Sequence, residues 1–264
     1  MAVHETAVVD KTSELDSRVD IGPYAVIGAD VKIGAHTKIE AHSVVSGPTV
    51  IGERNLIGSF ATVGGAPQDV NYKGEPTELI IGDDNQIREY ASIHRGTPSG
   101  RQKTVIGNQC LLMAYIHIAH DCQIGDNVVM ANLATLAGHV QVGEKAAIGG
   151  LVAIHQFCRI GAFSYIGGVS GVGLDVPPYV IVAGIRDATR VSGINKVGLR
   201  RNGFSREVIG NLDSAFRTIY RSPNLLLKDA LELARKEFGD CAEVQHMIEF
   251  FETSKRGVIR RTEV

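Results

Sequence analysis

The stretch AYIHIAHDCQIG, residues 114–125, places His117, His120 and Asp121 within five consecutive positions. Two chemistries suit such a set. An imidazole with a carboxylate beside it is a general base, because the carboxylate holds one tautomer and stabilises the charged form. Several imidazoles together, His139 included, are donors of the kind that hold zinc. Against both stands a plainer reading, that these are filler or solvated residues of a repetitive scaffold. The stretch alone does not decide, so the elements that carry it must.

Those elements have a period of six. Aliphatic residues recur at Val3, Val9, Leu15, Ile21 and so on to Val63, return at Ile81, Ile87 and Ile93, and continue one residue out of phase from Ile106 to Val172. Four positions after each comes a small or branched residue, such as Ala25, Val31 or Thr37. Neither a helix nor an alternating strand has this period. A chain that turns a corner every six residues does: three short strands and three corners make an 18-residue coil, and coils stack about 4.8 Å apart. The expected fold is mainly β, a triangular parallel β-helix of hexapeptide repeats with its aliphatic residues inside, closed by a cap. Cys110, Cys122 and Cys158 fall in the small inward slot and read as core. With Cys241 they show no CxxC spacing, so neither a zinc ribbon nor a disulfide framework is indicated.

Two segments, 66–80 and 98–105, do not fit the slots and are expected to leave the prism as loops, a common place for function. After about Pro178 the period ends. SREVIGNLDSAFRTIYRS, LLKDALELARKEFG and AEVQHMIEFFETSKRG read as amphipathic helices, the first capped by Ser205. The chain thus divides into a prism over 1–184 and a helical cap domain over 185–264.

The register also places the polar residues. His120 follows Ile118 by two and is expected to face outward. One and two coils on stand Gly138 and Gln156, and His139 lies below Asp121. A bare glycine lets a reacting carbonyl approach, and its N–H is a donor for a developing oxyanion. The three-residue step puts His117 at a corner and His120 on the following face, which separates them and argues against a zinc trio of His117, His120 and His139.

Charge is uneven: residues 1–184 carry a net −6 and residues 185–264 a net +4. Six basic residues, from Arg186 to Arg206, share one segment with a single acidic residue; it is a solvated face or a contact for an acidic partner or a phosphate ligand. No apolar run is long enough for a membrane span, and the N-terminal residues carry no basic-then-apolar signal, so a cytoplasmic location is expected. Nothing in this balance indicates a nucleic-acid partner.

HIAHDCQIG, TLAGHV, IHQFCRIGA, DVPPYV, IHRGT, PQDVNYKGEPT and NGFSRE together resemble the UDP-N-acetylglucosamine O-acyltransferase family, essentially end to end. The resemblance implies a left-handed prism, a homotrimer with active sites between neighbouring prisms, no cofactor and no metal. It implies transfer of an R-3-hydroxyacyl chain from acyl carrier protein to the glucosamine 3-hydroxyl of UDP-GlcNAc, the first step of lipid A biosynthesis. His120 is then the general base, Asp121 its partner, and Gly138 the oxyanion donor. His117, His139 and Gln156 line the cleft, with His94 and His155 carried alongside them. Gln68 and Asp69 hold the sugar, Asn195 and Arg201 the nucleotide, and Arg200, Arg201 and Arg206 the acidic carrier protein. Gly168 corresponds to the residue that stops the acyl tail. It lies 48 residues beyond His120, about 13 Å along the axis, so a glycine there implies a tail of about twelve to fourteen carbons. Asn71, Val197 and Asn202 depart from the family's pattern on the nucleotide and donor side. They keep open an acceptor other than UDP-GlcNAc, such as a 3-amino analogue. A trimeric zinc lyase of the γ-carbonic anhydrase type is the remaining alternative.

Overall fold

In a computed structural model, described over residues 2–185 and 188–262, the chain forms a left-handed parallel β-helix closed by helices. Strands of mostly two residues stack into three sheets of eleven, nine and eight strands, each pairing with the strand one coil away. Register is strict: Ile21 pairs with Ile39, Ile118 with Leu136, and Ile106 with Ile124. The inward aliphatic residues form one continuous core, in which Ile27, Ile57, Leu112 and Met130 are almost wholly buried. The cysteines at 110, 122 and 158 sit in that core, and burial raises their thiols above the ordinary range. Polar residues in the same slot bond along the stack. Asn55 Oδ1 accepts from the Asn85 amide at 2.9 Å, and Asn85 Oδ1 from the Cys110 amide at 2.8 Å.

The corners are where the chain departs from ordinary backbone. Tyr115, Asp121, Asn127, Leu133, His139 and other non-glycine residues hold φ near +60°, a region that costs most side chains free energy. The inter-coil hydrogen bonds on either side of every corner hold it there. Corner and strand phase differ from the sequence reading. His117 lies in the strand His117–Ile118, and His120 with Asp121 forms the turn. The expected assignment of those two histidines is therefore reversed.

The first detour is shorter than expected, and the second is as long as expected but begins three residues earlier. One spans 66–77 because Glu78–Ile81 is already strand, and the other spans 95–102 because Lys103–Ile106 is strand with Thr104 buried inside. Glu78–Ile81 restores the register after the first detour by pairing with Thr49–Ile51, and Lys103–Ile106 after the second by pairing with Glu78–Ile81. The first sheet also continues beyond Pro178. Val180–Ala183 pairs with Tyr165–Ile166, and an antiparallel strand, Arg190–Ile194, returns along it. Four helices follow: α1 Lys196–Arg201, α2 Arg206–Tyr220, α3 Leu227–Phe238 and α4 Ala242–Glu252. Ser205 caps α2 by accepting from the Val208 amide. The short α1 has no period long enough to read in the sequence. Beyond α4 the tail comes back to the prism, where buried Asp175 accepts from Ser254 Oγ at 2.8 Å. No helix among the described residues is long and apolar enough to cross a membrane.

Candidate active site

The corner between the second and third sheets gathers most of the predicted residues. His120 Nδ1 lies 2.8 Å from Asp121 Oδ2, and the His120 side chain is 14% exposed while that of Asp121 is fully buried. Asp121 Oδ2 also accepts from Thr97 Oγ1 at 2.6 Å and the Thr97 amide at 3.1 Å, and Oδ1 from the Arg101 amide at 2.7 Å. Burial alone raises a carboxyl pKa; here the hydrogen bonds from His120, Thr97 and Arg101 outweigh it and hold Asp121 down to about 2. At neutral pH the carboxylate is ionised, takes the Nδ1 proton of His120 as a hydrogen bond, and leaves Nε2 as the basic nitrogen.

Gly138 sits one coil below, as the register requires, but its bareness serves a different neighbour than expected. A Cβ there would lie 2.5 Å from His120 Cε1, so the glycine makes room for the imidazole itself. Among the described residues its N–H has no hydrogen-bond partner, a state it shares with His120 and Gln156, the equivalent corner positions. His139 packs its ring edge-on to His120 at 5.1 Å and stacks on Phe157 at 4.5 Å. Burial lowers the pKa of His139, and the charge of Asp69 in the 66–77 detour works in the opposite direction. Gln68 is exposed on that detour. Arg95 anchors the detour, since its guanidinium donates to the Gly64 and Gly47 carbonyls and to Tyr72 Oη.

His117 Nδ1 lies 3.1 Å from Ser92 Oγ, and His94 Nε2 lies 3.4 Å from the same oxygen. Burial pushes His94 down to about 4 and lowers His117 as well. The buried Nδ1 of His94 has no partner. His120 is therefore the one imidazole of this group within hydrogen-bond distance of a carboxylate, among neighbours that stay neutral. His155 is exposed just before the Gln156–Phe157 turn, 2.8 Å from an Arg256 guanidinium nitrogen.

The metal reading can be tested on the donors. The group that converges is His120, Asp121 and His139, without His117. Both oxygens of Asp121 already accept hydrogen bonds from the protein, and the carboxylate meets His120 at hydrogen-bond distance. The zinc trio named from spacing does not form.

Other predicted residues lie elsewhere. Asn195 caps α1, accepting from the Gly198 amide at 3.0 Å, while its Nδ2 donates to the Phe163 carbonyl at 2.9 Å. Its amide thus ties the cap to the prism, a task the nucleotide assignment did not foresee. With Val197 and Arg201 it borders a cavity of about 660 Å³ at the edge between the third and first sheets. Within one chain this is a different edge from that of His120. Arg200 and Arg206 are exposed near it; Arg186 lies outside the described residues. Gly168 occupies the remaining edge, between the first and second sheets, so the path to it from His120 crosses the second sheet diagonally.

One feature escaped the sequence. Arg101, Arg159, Lys255 and Arg256 converge with His139 on a cavity of about 750 Å³. None of the four makes an ion pair among the described residues, whereas Arg18, Lys32, Arg54 and Arg88 on the same prism each have a carboxylate partner. Arg159, 18 residues after Gln141 in the same column, was open to the register argument. The returning tail was not.

The chain is similar to known proteins along nearly its whole length. The family model described as UDP N-acetylglucosamine O-acyltransferase, domain 2, matches residues 175–259, and the six-repeat bacterial transferase hexapeptide matches 17–47, 30–65 and 103–138. An acyl-[acyl-carrier-protein]–UDP-N-acetylglucosamine O-acyltransferase of Thermodesulfovibrio yellowstonii is 51% identical over 98% of this chain and 99% of its own length. Its counterpart in Syntrophobacter fumaroxidans is 51% identical over 98% and 100%. The crystal structure of the Moraxella catarrhalis enzyme superposes with a TM-score of 0.94 at 44% identity, covering 98% of this chain and all of that one. With the six-residue repeat, the His120–Asp121 corner and these relatives together, the chain belongs to the UDP-N-acetylglucosamine O-acyltransferase family.

Proposed function

We propose that the protein transfers an R-3-hydroxyacyl chain from acyl carrier protein to the glucosamine 3-hydroxyl of UDP-GlcNAc, in the cytoplasm, as the first step of lipid A biosynthesis. The observation that carries the mechanism is the 2.8 Å contact between His120 Nδ1 and an ionised, buried Asp121. Nε2 takes the proton of the sugar hydroxyl as its oxygen attacks the thioester carbonyl. The Gly138 N–H, beside the imidazole and without another partner among the described residues, is the donor for the oxyanion that forms. When the C–S bond breaks, the imidazolium returns the proton to the departing thiolate. Asp121 stabilises the charged imidazole between these two transfers.

Within a single chain the base and the Asn195–Arg201 cavity lie on different edges, with the third sheet between them. A homotrimer in which one copy's cap edge faces the next copy's His120 edge joins them, with Gln68 and Asp69 reaching the sugar from the detour. The acidic carrier protein meets opposite charge at Arg200, Arg201 and Arg206, which favours encounter more than tight binding.

The test is a panel of UDP-sugars with one 3-hydroxyacyl carrier-protein donor. Ester formation on UDP-GlcNAc is the expected result. Amide formation on a 3-amino analogue, with none on UDP-GlcNAc, would overturn the choice of acceptor.

A further inference from the structure

Second residues of the prism's corners are ordinarily exposed: Tyr115 is 52% exposed and Phe157 53%, yet Asp121 in the equivalent place is 0% exposed. What covers it is the 95–102 detour. Thr97 supplies its amide and hydroxyl to Oδ2 and Arg101 its amide to Oδ1, while Arg101 Nη1 donates to the Asp121 carbonyl at 3.0 Å. From inside the prism, Thr104 Oγ1 accepts from the Asp121 amide at 2.8 Å. Gly100 lies flat against the carboxylate, for a Cβ there would fall 2.4–2.5 Å from its atoms. The detour is itself tied into a tight turn by the Gly100 and Gln102 amides, both donating to the Thr97 carbonyl at 3.1 Å. A six-residue corner without this detour leaves such a carboxylate in solvent, free to rotate and rehydrate.

We propose that Thr97 is a positioning residue for the acyl transfer. With the amide of Arg101, it clamps the Asp121 carboxylate in the one orientation that receives the Nδ1 proton of His120 and leaves Nε2 facing the substrate. Asp121 has three fixed donors besides His120, so neither carboxylate oxygen can turn away when the imidazole becomes charged. The detour that the sequence marks as an interruption of the repeat is then part of the base. This inference rests on His120 being the base in the reading above.

The experiment measures kcat, both KM values and the pH profile of kcat/KM in Thr97→Val, Thr97→Ser and Gly100→Ala, with melting temperature as the control. Thr97→Val keeps the shape and the amide but deletes the 2.6 Å hydroxyl contact. It is expected to lower kcat roughly tenfold, the scale of one hydrogen bond to a charged group, with neither KM changed. With less of its charge drawn off by donors, the carboxylate holds the imidazolium more strongly, so the acid limb of kcat/KM moves to higher pH. Thr97→Ser restores the hydroxyl and returns both quantities to wild type. Gly100→Ala perturbs the same carboxylate from the other side and is expected to lower kcat without raising KM, which guards against a Thr97 variant that fails to fold. A Thr97→Val enzyme with wild-type kcat and an unmoved acid limb overturns the proposal, whether or not it melts earlier. A wild type that acylates no UDP-sugar, or a fully active His120→Ala, sinks the underlying reading instead, so the two failures are distinguishable.

Discussion

Two edges of the same prism share one backbone and little else. Along the edge between the first and second sheets, the left-handed corner position carries Tyr24, His42, Phe60, Tyr90 and Tyr115, with φ from 56° to 62° and consecutive rings stacked 4.7–5.2 Å apart. Along the edge between the second and third sheets it carries Asp121, His139 and Phe157, with φ from 61° to 67°. The first is an exposed ladder of ring faces. The second is an imidazole held against a buried carboxylate, with a detour folded over it. A rigid repeat offers the same coordinates again and again; chemistry appears where the side chain is ionisable and something excludes water from its partner.

The sharpest break between the edges should come from truncating each. His120→Ala is expected to lower kcat by roughly two to four powers of ten, as loss of a positioned general base does, with the melting temperature unchanged. Phe60→Ala removes two stacked contacts, and is expected to cost about 1–3 kcal/mol of stability while kcat stays within about twofold. Near-normal turnover in the first variant, or a comparable loss in the second, erases the distinction.

Acid should separate the edges next. His94 stays neutral in the fold down to about 4, against an ordinary value of 6.5, because it is buried. The unfolded chain therefore binds more protons between those limits, and the stability this histidine contributes is whole above pH 6.5 and falls as pH drops towards 4. The full loss is about 3 kcal/mol. Asp121 follows lower still, its contribution present above 3.8 and lost towards about 2. Denaturant melts at pH 7, 5.5 and 4.5 check this, and His94→Gln should flatten the upper part of the slope. A slope that is the same in both proteins assigns the acid sensitivity elsewhere.

Glycine at the first corner position gives a smaller contrast. Gly138→Ala drives a methyl into the His120 ring and is expected to lower kcat on the order of tenfold, since displaced bases transfer protons poorly. Gly150→Ala on the other edge meets only the Asn132 carbonyl at 3.2 Å, and should leave kcat unchanged. Equal effects would mean that the corners respond to strain alone.

The mildest effect concerns the acyl tail. Gly168 lies on the ladder's edge, so the diagonal across the second sheet makes the axial distance of about 13 Å a lower bound for the path. A wild type preferring about twelve to fourteen carbons should shift towards about ten in Gly168→Met, by several-fold per carbon, because each methylene denied burial forfeits about 0.8 kcal/mol. Competition between ten- and fourteen-carbon donors reads this directly, and an unchanged ratio removes Gly168 from that role.

The period of six made the prism, its core and the inward cysteines legible, because every coil repeats the same slots. It did not reveal the phase of the corners. Ordinarily glycine or asparagine marks a left-handed position, but here tyrosine, histidine, leucine and lysine occupy it, among twenty-one non-glycine residues with positive φ in the described part of the chain. His117 and His120 were exchanged between strand and corner for that reason. That His120, Asp121 and Gly138 lie together was legible because they are neighbours or one coil apart. The contact of Thr97 with Asp121 was not, since it spans 24 residues from a detour with no period. The Arg159–Lys255–Arg256 cleft depends on a tail that returns from 94 residues away, as the Arg159–Thr253 contact shows.

The way the detours rejoin the sheet has an evolutionary consequence. Ile51 pairs with Ile81, thirty positions on, and Ile81 with Ile106, twenty-five on, while Ile106 pairs with Ile124 at the regular eighteen. The third sheet thus accepts chain segments of different length between successive rungs and loses no rung. Insertions and deletions at that edge are invisible to the core, so lineages can lengthen, trim or rewrite the segments beside His120 and Asp121 while the stack stays in step. Specificity can drift there in whole segments at a time; along the aromatic ladder it can change only one side chain at a time.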